Sequence, residues 1–471
     1  MGIAWTSEQV LALSPDAGSA KRGQSLAHVS KWPLLGKSER AVWGECQGSG
    51  KKPYRTIIDL DVDLGGPAFR CSCPSRKFPC KHAIALFLLL AEQTSLEQTD
   101  FTEGNPPSWG LAWLEKRAQT TTQKSSNAKT DKETAGSSAQ VQQAQKRLKK
   151  REAKVAAGLD DLDQWLQDII RRGLADLPAQ SYRFWDQSAA RLVDAQAPGL
   201  ARRVKELASI PHQTTSDTSV SWPERMLTAL GQIHLLVQSY RNIAQLSPAM
   251  QAEVRSQIGF TQTKDSLLQR AEQSDPLVLS ISDTWQILGK VVTKEEALKT
   301  QRVWLWGLER KKVAMVLSFA HGRRQSLDAS LVPGACCTGK LVFYPGTGQK
   351  NTGYRALVAE RVTVPEVCRD SIGDELIEAA IAHYAQSLSQ NPWLTRSPLA
   401  LSQVWLRYGE DRWWVQDSEH GTLPLSSAFS QGWELLAMSG GRPLAIFGEW
   451  DGMSLLPLSV WSKKTFMALE A

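Results

Sequence analysis

The sequence predicts an α+β multidomain protein with a small N-terminal strand-and-helix module, a central helical domain and a C-terminal β-rich α+β region. Three observations predict it. Short alternating runs precede one strongly apolar helix before residue 93, helical periodicity dominates from residue 158 to about 275, and β-branched and aromatic runs cut by Gly and Pro take over near residue 300. With 471 residues, 42% of them hydrophobic, the chain can bury several cores.

Residues 1–117 form the first unit. Ala41-Val-Trp43 leads through a Gly-Ser-Gly turn to a second strand from Tyr54 to Leu60. The helix from His82 to Gln93 carries Ile84 and Leu86 to Leu90, is too short to span a membrane, and suits burial against those strands. Trp109 and Trp113 complete the unit. Residues 118–157 read as a basic, largely disordered linker running into a helix: Gln119 to Gln140 has almost no large apolar side chain to offset its ordering entropy, whereas 142–154 is helix-prone. Residues 158–290 form the helical domain, with Leu162, Trp165, Leu166, Ile169 and Ile170 on one periodicity. Residues 291–471 carry strand patterns such as Val303-Trp-Leu-Trp306 and Lys340-Leu-Val-Phe-Tyr344, interrupted by one helix over Asp374–Ser389.

The net charge of +7 is unevenly placed. Counting side chains gives +5 over residues 1–90, −3 over 91–117, +6 over 118–154 and −1 over the remainder. An anionic partner for the front of the molecule and a merely solvated basic linker fit this pattern equally well. No uncharged apolar run reaches membrane-spanning length and the amino terminus lacks a signal-peptide pattern, so a cytoplasmic protein without a membrane partner is expected. The seven cysteines are too few and too clustered for a disulfide framework and point to metal.

Residues 70–83 read Arg-Cys-Ser-Cys-Pro-Ser-Arg-Lys-Phe-Pro-Cys-Lys-His-Ala, a C-x-C followed after six residues by C-x-H. Residues two apart in an extended chain project from one face, so Cys71 and Cys73 can grip one ion from a strand end. Residues two apart on a helix diverge by about 200°, so Cys80 belongs just before the helix and His82 in its first turn. Pro79 supports this by disfavouring helix at the residue before it. Three thiolates and an imidazole suit tetrahedral zinc, and a complete set of four leaves no position for substrate, which makes one Zn2+ structural and not catalytic. Arg76, Lys77 and Lys81 surround the site, either neutralising the thiolates or meeting phosphate.

This motif, with Trp43-Gly-Glu-Cys-Gln-Gly-Ser-Gly50 and Pro53-Tyr54 around it, resembles the SWIM-type zinc finger family, in particular a bacterial branch. The stretches Trp165 to Leu174 and Val193 to Arg203 are similar to the same proteins, so the resemblance covers about residues 30–210. It implies a ββα zinc module and a role in binding DNA or protein partners, the latter including a MoxR-type ATPase system.

Other features are weaker. Cys46 reads as a buried thiol beside a complete ligand set, and Cys336-Cys337 as packing within a strand. Eighteen tryptophans, among them Trp165, Trp304, Trp306 and Trp405, fit core packing, with Trp413-Trp414 beside Arg412 the pair best placed for contact. The expected function is that of a non-enzymatic zinc protein. In one version the module and the basic cluster Lys146, Arg147, Lys149, Lys150 and Arg151 hold nucleic acid. In the other the module is a protein–protein adaptor. An enzyme in residues 300–471 is a third option without any recognisable motif.

Overall fold

A computed structural model describes residues 7–14, 17–47, 53–60, 67–75, 79–93, 101–117, 138–212, 220–295, 298–321, 327–328, 330–347, 352–367, 372–462 and 465–470. The expected disordered linker and the side chains of Arg76 and Lys77 lie outside these residues.

The front unit is a sheet sandwiched between helices. Helices α1 (Ser7–Ala12) and α2 (Ala17–Gln24) precede strands β1 (Leu34–Lys37), β2 (Ala41–Cys46), β3 (Tyr54–Asp59) and β4 (Ala68–Cys71), followed by helix α3 (Lys81–Gln93) and strand β5 (Thr102–Glu103). The sheet order is β4-β3-β2-β1-β5, an antiparallel meander to which β5 adds in parallel beside β1. Helix α3 is apolar on every side because it is covered on every side: Ile84, Leu86, Phe87 and Leu88 share a core with Val10, Val42, Ile58 and Phe69. Helix α4 (residues 108–117) closes the opposite face, where Trp109 and Trp113 pack on Trp43, Ile57 and Leu114. Asp59, fully buried, fastens that face by accepting from Arg40 at 3.2 and 3.1 Å and from Arg117 at 3.0 Å.

The helical domain begins earlier than its sequence pattern suggests. Helix α5 (Ser138–Arg172) is continuous for 35 residues, so the expected boundary at 157/158 falls inside it. Gly158, within the helix, is a contact: a Cβ there would lie 2.3 Å from the Cβ of Ala195. Helices α6 (Tyr182–Asp194), α7 (Pro198–Leu207), α8 (Trp222–Arg241) and α9 (Pro248–Ile258) pack against α5 around Leu159, Trp185, Leu200, Val204 and Leu236. Ser221 and Glu224 cap α8 reciprocally, which fixes where it starts. Helix α10 (Lys264–Glu272) leaves the bundle and packs Leu267 against the next unit.

That next unit starts at Ser280, eleven residues before its expected start at 291. Strands β6 (Ser280–Glu295), β7 (Leu298–Gly307), β8 (Val313–His321), β9 (Ala335–Pro345) and β10 (Thr352–Val367) close into a barrel in the order β10-β8-β7-β6-β9. All pairings are antiparallel except that of β8 with β10. The connectivity is that of an oligonucleotide/oligosaccharide-binding barrel. Trp285, Ile287, Val303, Leu305 and Phe343 fill its interior. Cys336 is disulfide-bonded, which corrects the packing-only reading of that residue, and Cys337 is buried.

Helix α11 (Ile377–Gln390) then leads into β11 (Ser397–Gly409), β12 (Arg412–Gln416), β13 (Thr422–Pro424), helix α12 (Gly432–Ser439), and β14 (Leu444–Trp450), β15 (Leu455–Ser462) and β16 (Thr465–Ala468). The sheet order is β13-β12-β11-β14-β15-β16. Helices α11 and α12 cover its inner face through Ile377, Ala380 and Leu435. The barrel covers part of its outer face, with Leu288, Val291 and Trp304 against Phe447, Leu458 and Trp461. Glu449, fully buried at this seam, receives Arg302 at 2.8 and 2.9 Å and the Trp304 indole at 2.9 Å, with Arg396 at 3.6 Å. Trp393 inserts into the helical bundle and donates to the Gln232 carbonyl at 3.0 Å.

Glu449→Ala strands the Arg302 guanidinium in a desolvated seam, so it is expected to cost about 3–5 kcal/mol, read as a lowered urea midpoint of the C-terminal half.

Candidate metal centre

The four expected ligands come together. Cys71 ends β4, Cys73 follows in the loop, Cys80 immediately precedes α3 and His82 is its second residue, and their ligand atoms all lie within 4.8 Å of one another. Strand–loop and loop–helix geometry thus supply two ligands each, as the spacing predicts. Cys80 and His82 are buried, whereas Cys71 and Cys73 are half-buried. Cys46 stands apart as a buried thiol on β2, its pKa pushed up by burial.

The electrostatics fit a cation. Cys80 is held down, to about 4, by the hydrogen bond with Cys71, by His82 and by the amide of Ala83. Cys71 is pushed up by that same hydrogen bond with Cys80 and by burial, and Cys73 is raised by burial. One thiolate is therefore stable in the apo cluster at neutral pH, while the second and third need the positive charge that a metal brings. Bound zinc would be held by these four side chains and would supply cross-linking between β4 and α3, not chemistry on a substrate.

Two supporting residues escape a reading by spacing. Thr56 donates its hydroxyl to the Cys71 sulfur at 3.2 Å, and the Tyr54 ring lies 4.8 Å from that of His82. Both sit on β3, whose register places Thr56 opposite Cys71. A cleft of about 710 Å3 opens beside them, with Lys31, Tyr54, Lys81 and His82 among its lining.

The expected cations separate into groups. Lys81 is exposed on the first turn of α3, while Arg76 and Lys77 fall outside the described residues. Lys146, Arg147, Lys149 and Lys150 are all exposed on α5. Arg151 behaves differently: its guanidinium lies 4.1 Å from the Phe260 ring and donates to the Gly259 carbonyl at 3.1 Å, so it ties α5 to the end of α9.

A closed set of four soft donors wedged between a strand end and a helix start defines a structural zinc finger, joined here to a helical bundle. Residues 57–91 match the SWIM zinc finger model and residues 150–258 match the SWIM-associated four-helix bundle domain, so the chain carries a SWIM-type zinc finger and the helical bundle associated with it. The second match extends beyond the resemblance seen in the sequence and takes in α8 and α9. No curated protein and no solved structure matches the chain. Among the described residues, no helix is long and apolar enough to cross a membrane.

Cys73→Ser, or chelation of the wild type, is expected to remove zinc and unfold residues 30–93 while the α5–α9 bundle keeps its helical circular dichroism. Because Cys71 and Cys73 sit above the ordinary thiol pKa, loading them releases protons. Zinc affinity should therefore rise with pH across the neutral range, which competition with a chromophoric chelator measures.

Proposed function

We propose that the chain is a non-catalytic, cytoplasmic zinc protein whose front half binds nucleic acid through its phosphate backbone. The observation that carries this reading is a cationic stripe on α5. Lys146, Arg147, Lys150 and Lys154 are exposed, and at 3.6 residues per turn they fall within an arc of about 100°. Exposed small residues, Ala153, Ala156 and Ala157, lie beside them, and the stripe precedes Val155 and Leu159, where the helix enters the bundle core. The cations therefore stand on a rigid rod anchored at one end, clear of carboxylate partners in the core. Lys154 replaces Arg151 in the expected cluster because the bundle uses Arg151 for itself. Lys81 and Lys31 beside the zinc ligands extend the basic surface on the front unit.

A protein-adaptor role, with a MoxR-type ATPase as the partner, is the second reading. It is favoured by an exposed apolar ridge at the rear, where Tyr408 is 47% and Trp433 is 61% exposed.

Simultaneous Lys146→Glu, Arg147→Glu, Lys150→Glu and Lys154→Glu should weaken duplex DNA binding at all sequences alike and reduce the slope of log K against log salt by roughly 3 to 4. Filter binding at two salt concentrations tests this. Duplex binding that survives the four reversals, or that is absent in wild type at low salt, favours the adaptor.

A further inference from the structure

The sheet of the C-terminal unit has an outer face that the barrel covers only in part. Its β14 and β15 half packs on the barrel through Phe447, Leu458 and Trp461. The β11–β12 half does not carry that seam. Here strand alternation sorts the side chains cleanly. Val404, Leu406 and Val415 point into the core with helices α11 and α12, and Tyr408 and Trp413 continue that side, where Trp433 of α12 closes a ring trio at 4.9–5.0 Å. Gly432 exists for this packing, since a Cβ there would sit 2.0 Å from the Trp413 ring.

The opposite side carries Gln403, Trp405 and Arg407 from β11 with Arg412, Trp414 and Gln416 from β12; Gln403 and Arg407 are exposed and the other four are half-buried. The register sets Trp405 opposite Gln416 and Arg407 opposite Trp414. Tryptophan and arginine thus alternate along each strand and meet across the two strands at Arg407 and Trp414. Neither Trp405 nor Trp414 belongs to any of the apolar cores, which corrects the core reading of Trp405. Arg412 stacks 4.6 Å from the Trp414 ring, and Arg407, exposed, is steered by a 2.9 Å bond to Gln416. These six side chains include two π faces, two guanidinium groups and two amides, and no carboxylate. The acids that flank the strands are Glu410 and Asp411 at the hairpin tip, both with left-handed backbone at φ 54° and 57°, and Asp417 after Gln416, which is buried and accepts from the Ile377 and Gly421 amides.

We infer that the β11–β12 outer face is a stacking platform for single-stranded nucleic acid. The chemistry selects that occupant. Indole faces accept unpaired bases without regard to sequence, guanidinium groups meet the phosphates between them, and the amides reach base edges or sugar. An apolar protein segment would gain nothing from the two arginines, and a duplex hides the base faces that the tryptophans need. The acidic hairpin tip turns the strand's phosphates across the sheet, toward Gln416, instead of off its end. The platform is separate from the α5 stripe and does not rest on the reading above: one grips backbone charge, the other stacks bases.

The test uses the full zinc-loaded chain and a fluorescently labelled oligothymidine of about 12 nucleotides. The background is the four-fold α5 reversal, so that binding at the stripe is removed. Anisotropy should still report oligothymidine binding in that background. Arg407→Glu, a change at an exposed side chain, should weaken it at least fivefold, and Trp414→Ala should do the same while Trp414→Phe restores most of it. Duplex binding by the otherwise wild-type chain should be unmoved by all three. The platform is overturned if the reversed chain binds no oligothymidine, if Arg407→Glu leaves that binding intact, or if polyglutamate displaces the oligonucleotide as effectively as unlabelled oligothymidine does. Insensitivity of duplex binding to the α5 reversal would count against the helix stripe alone.

Discussion

Glu449 is a carboxylate without access to water, and the arrangement of the C-terminal half follows from satisfying it. A lone charge in such a place is not sustainable, so the barrel must deliver Arg302 and the Trp304 indole to it in one fixed pose. That pose sets β7 of the barrel against β14 of the sheet. It also decides which surfaces stay open. In barrels of this connectivity the outer face of the second and third strands is the usual ligand face. Here that face is largely taken, because Trp304, Met315 and Val313 are packed beneath Phe447, Leu458 and Trp461. The sheet that covers it leaves its own β11–β12 strip uncovered by the same packing.

The front unit uses the same device on a smaller scale. Asp59 receives two arginines from elements far apart in sequence, one before β2 and one at the end of α4, and so holds α4 onto the sheet face opposite α3. The other face is left to the metal. Without an ion, burial and the shared hydrogen bond hold Cys71 and Cys73 above the ordinary thiol pKa and Cys80 below it, so β4 and the start of α3 are joined by weak sulfur hydrogen bonds. Bound zinc would be held by Cys71, Cys73, Cys80 and His82 and would join β4 to the start of α3 more firmly than those contacts do. The carboxylate seam and the metal cross-link therefore act on opposite sides of one five-stranded sheet.

How much of this was legible depended on the range of the interaction involved. The ligand set was readable because its geometry is local: two residues on a strand end, two at a helix start, with Pro79 marking the change. The apolar helix α3 was readable because its composition leaves it no exposed side. Register was not. Nothing near Thr56 says that it will face Cys71, and nothing near Tyr354 says that β10 will run parallel to β8 and close a barrel. Two glycines act over a range the local pattern does not show: Gly158 marks a helix–helix contact within α5, and Gly432 opens α12, an eight-residue helix too short for its periodicity to differ from a strand.

Tryptophan shows the same limit most sharply. Trp304 and Trp405 occupy similar alternating sequence contexts, Val-Trp-Leu in both, and core packing is the natural reading of each. Trp304 is 1% exposed and bonded to Glu449, whereas Trp405 lies outside every core. The difference is not in the local pattern but in what crosses over the strand. The barrel lies over one end of the sheet and not the other, and the residue opposite Trp405 on β12 is Gln416, where those opposite Trp304 are Gly289 and Met315. Composition counted across a strand pair, once the register is known, distinguishes a contact surface from a core when composition counted along the strand does not. By that measure the rear sheet presents flat π surfaces with cations between them, and α5 presents cations alone. A surface of the first kind distinguishes unpaired from paired bases, and one of the second kind only measures phosphate density.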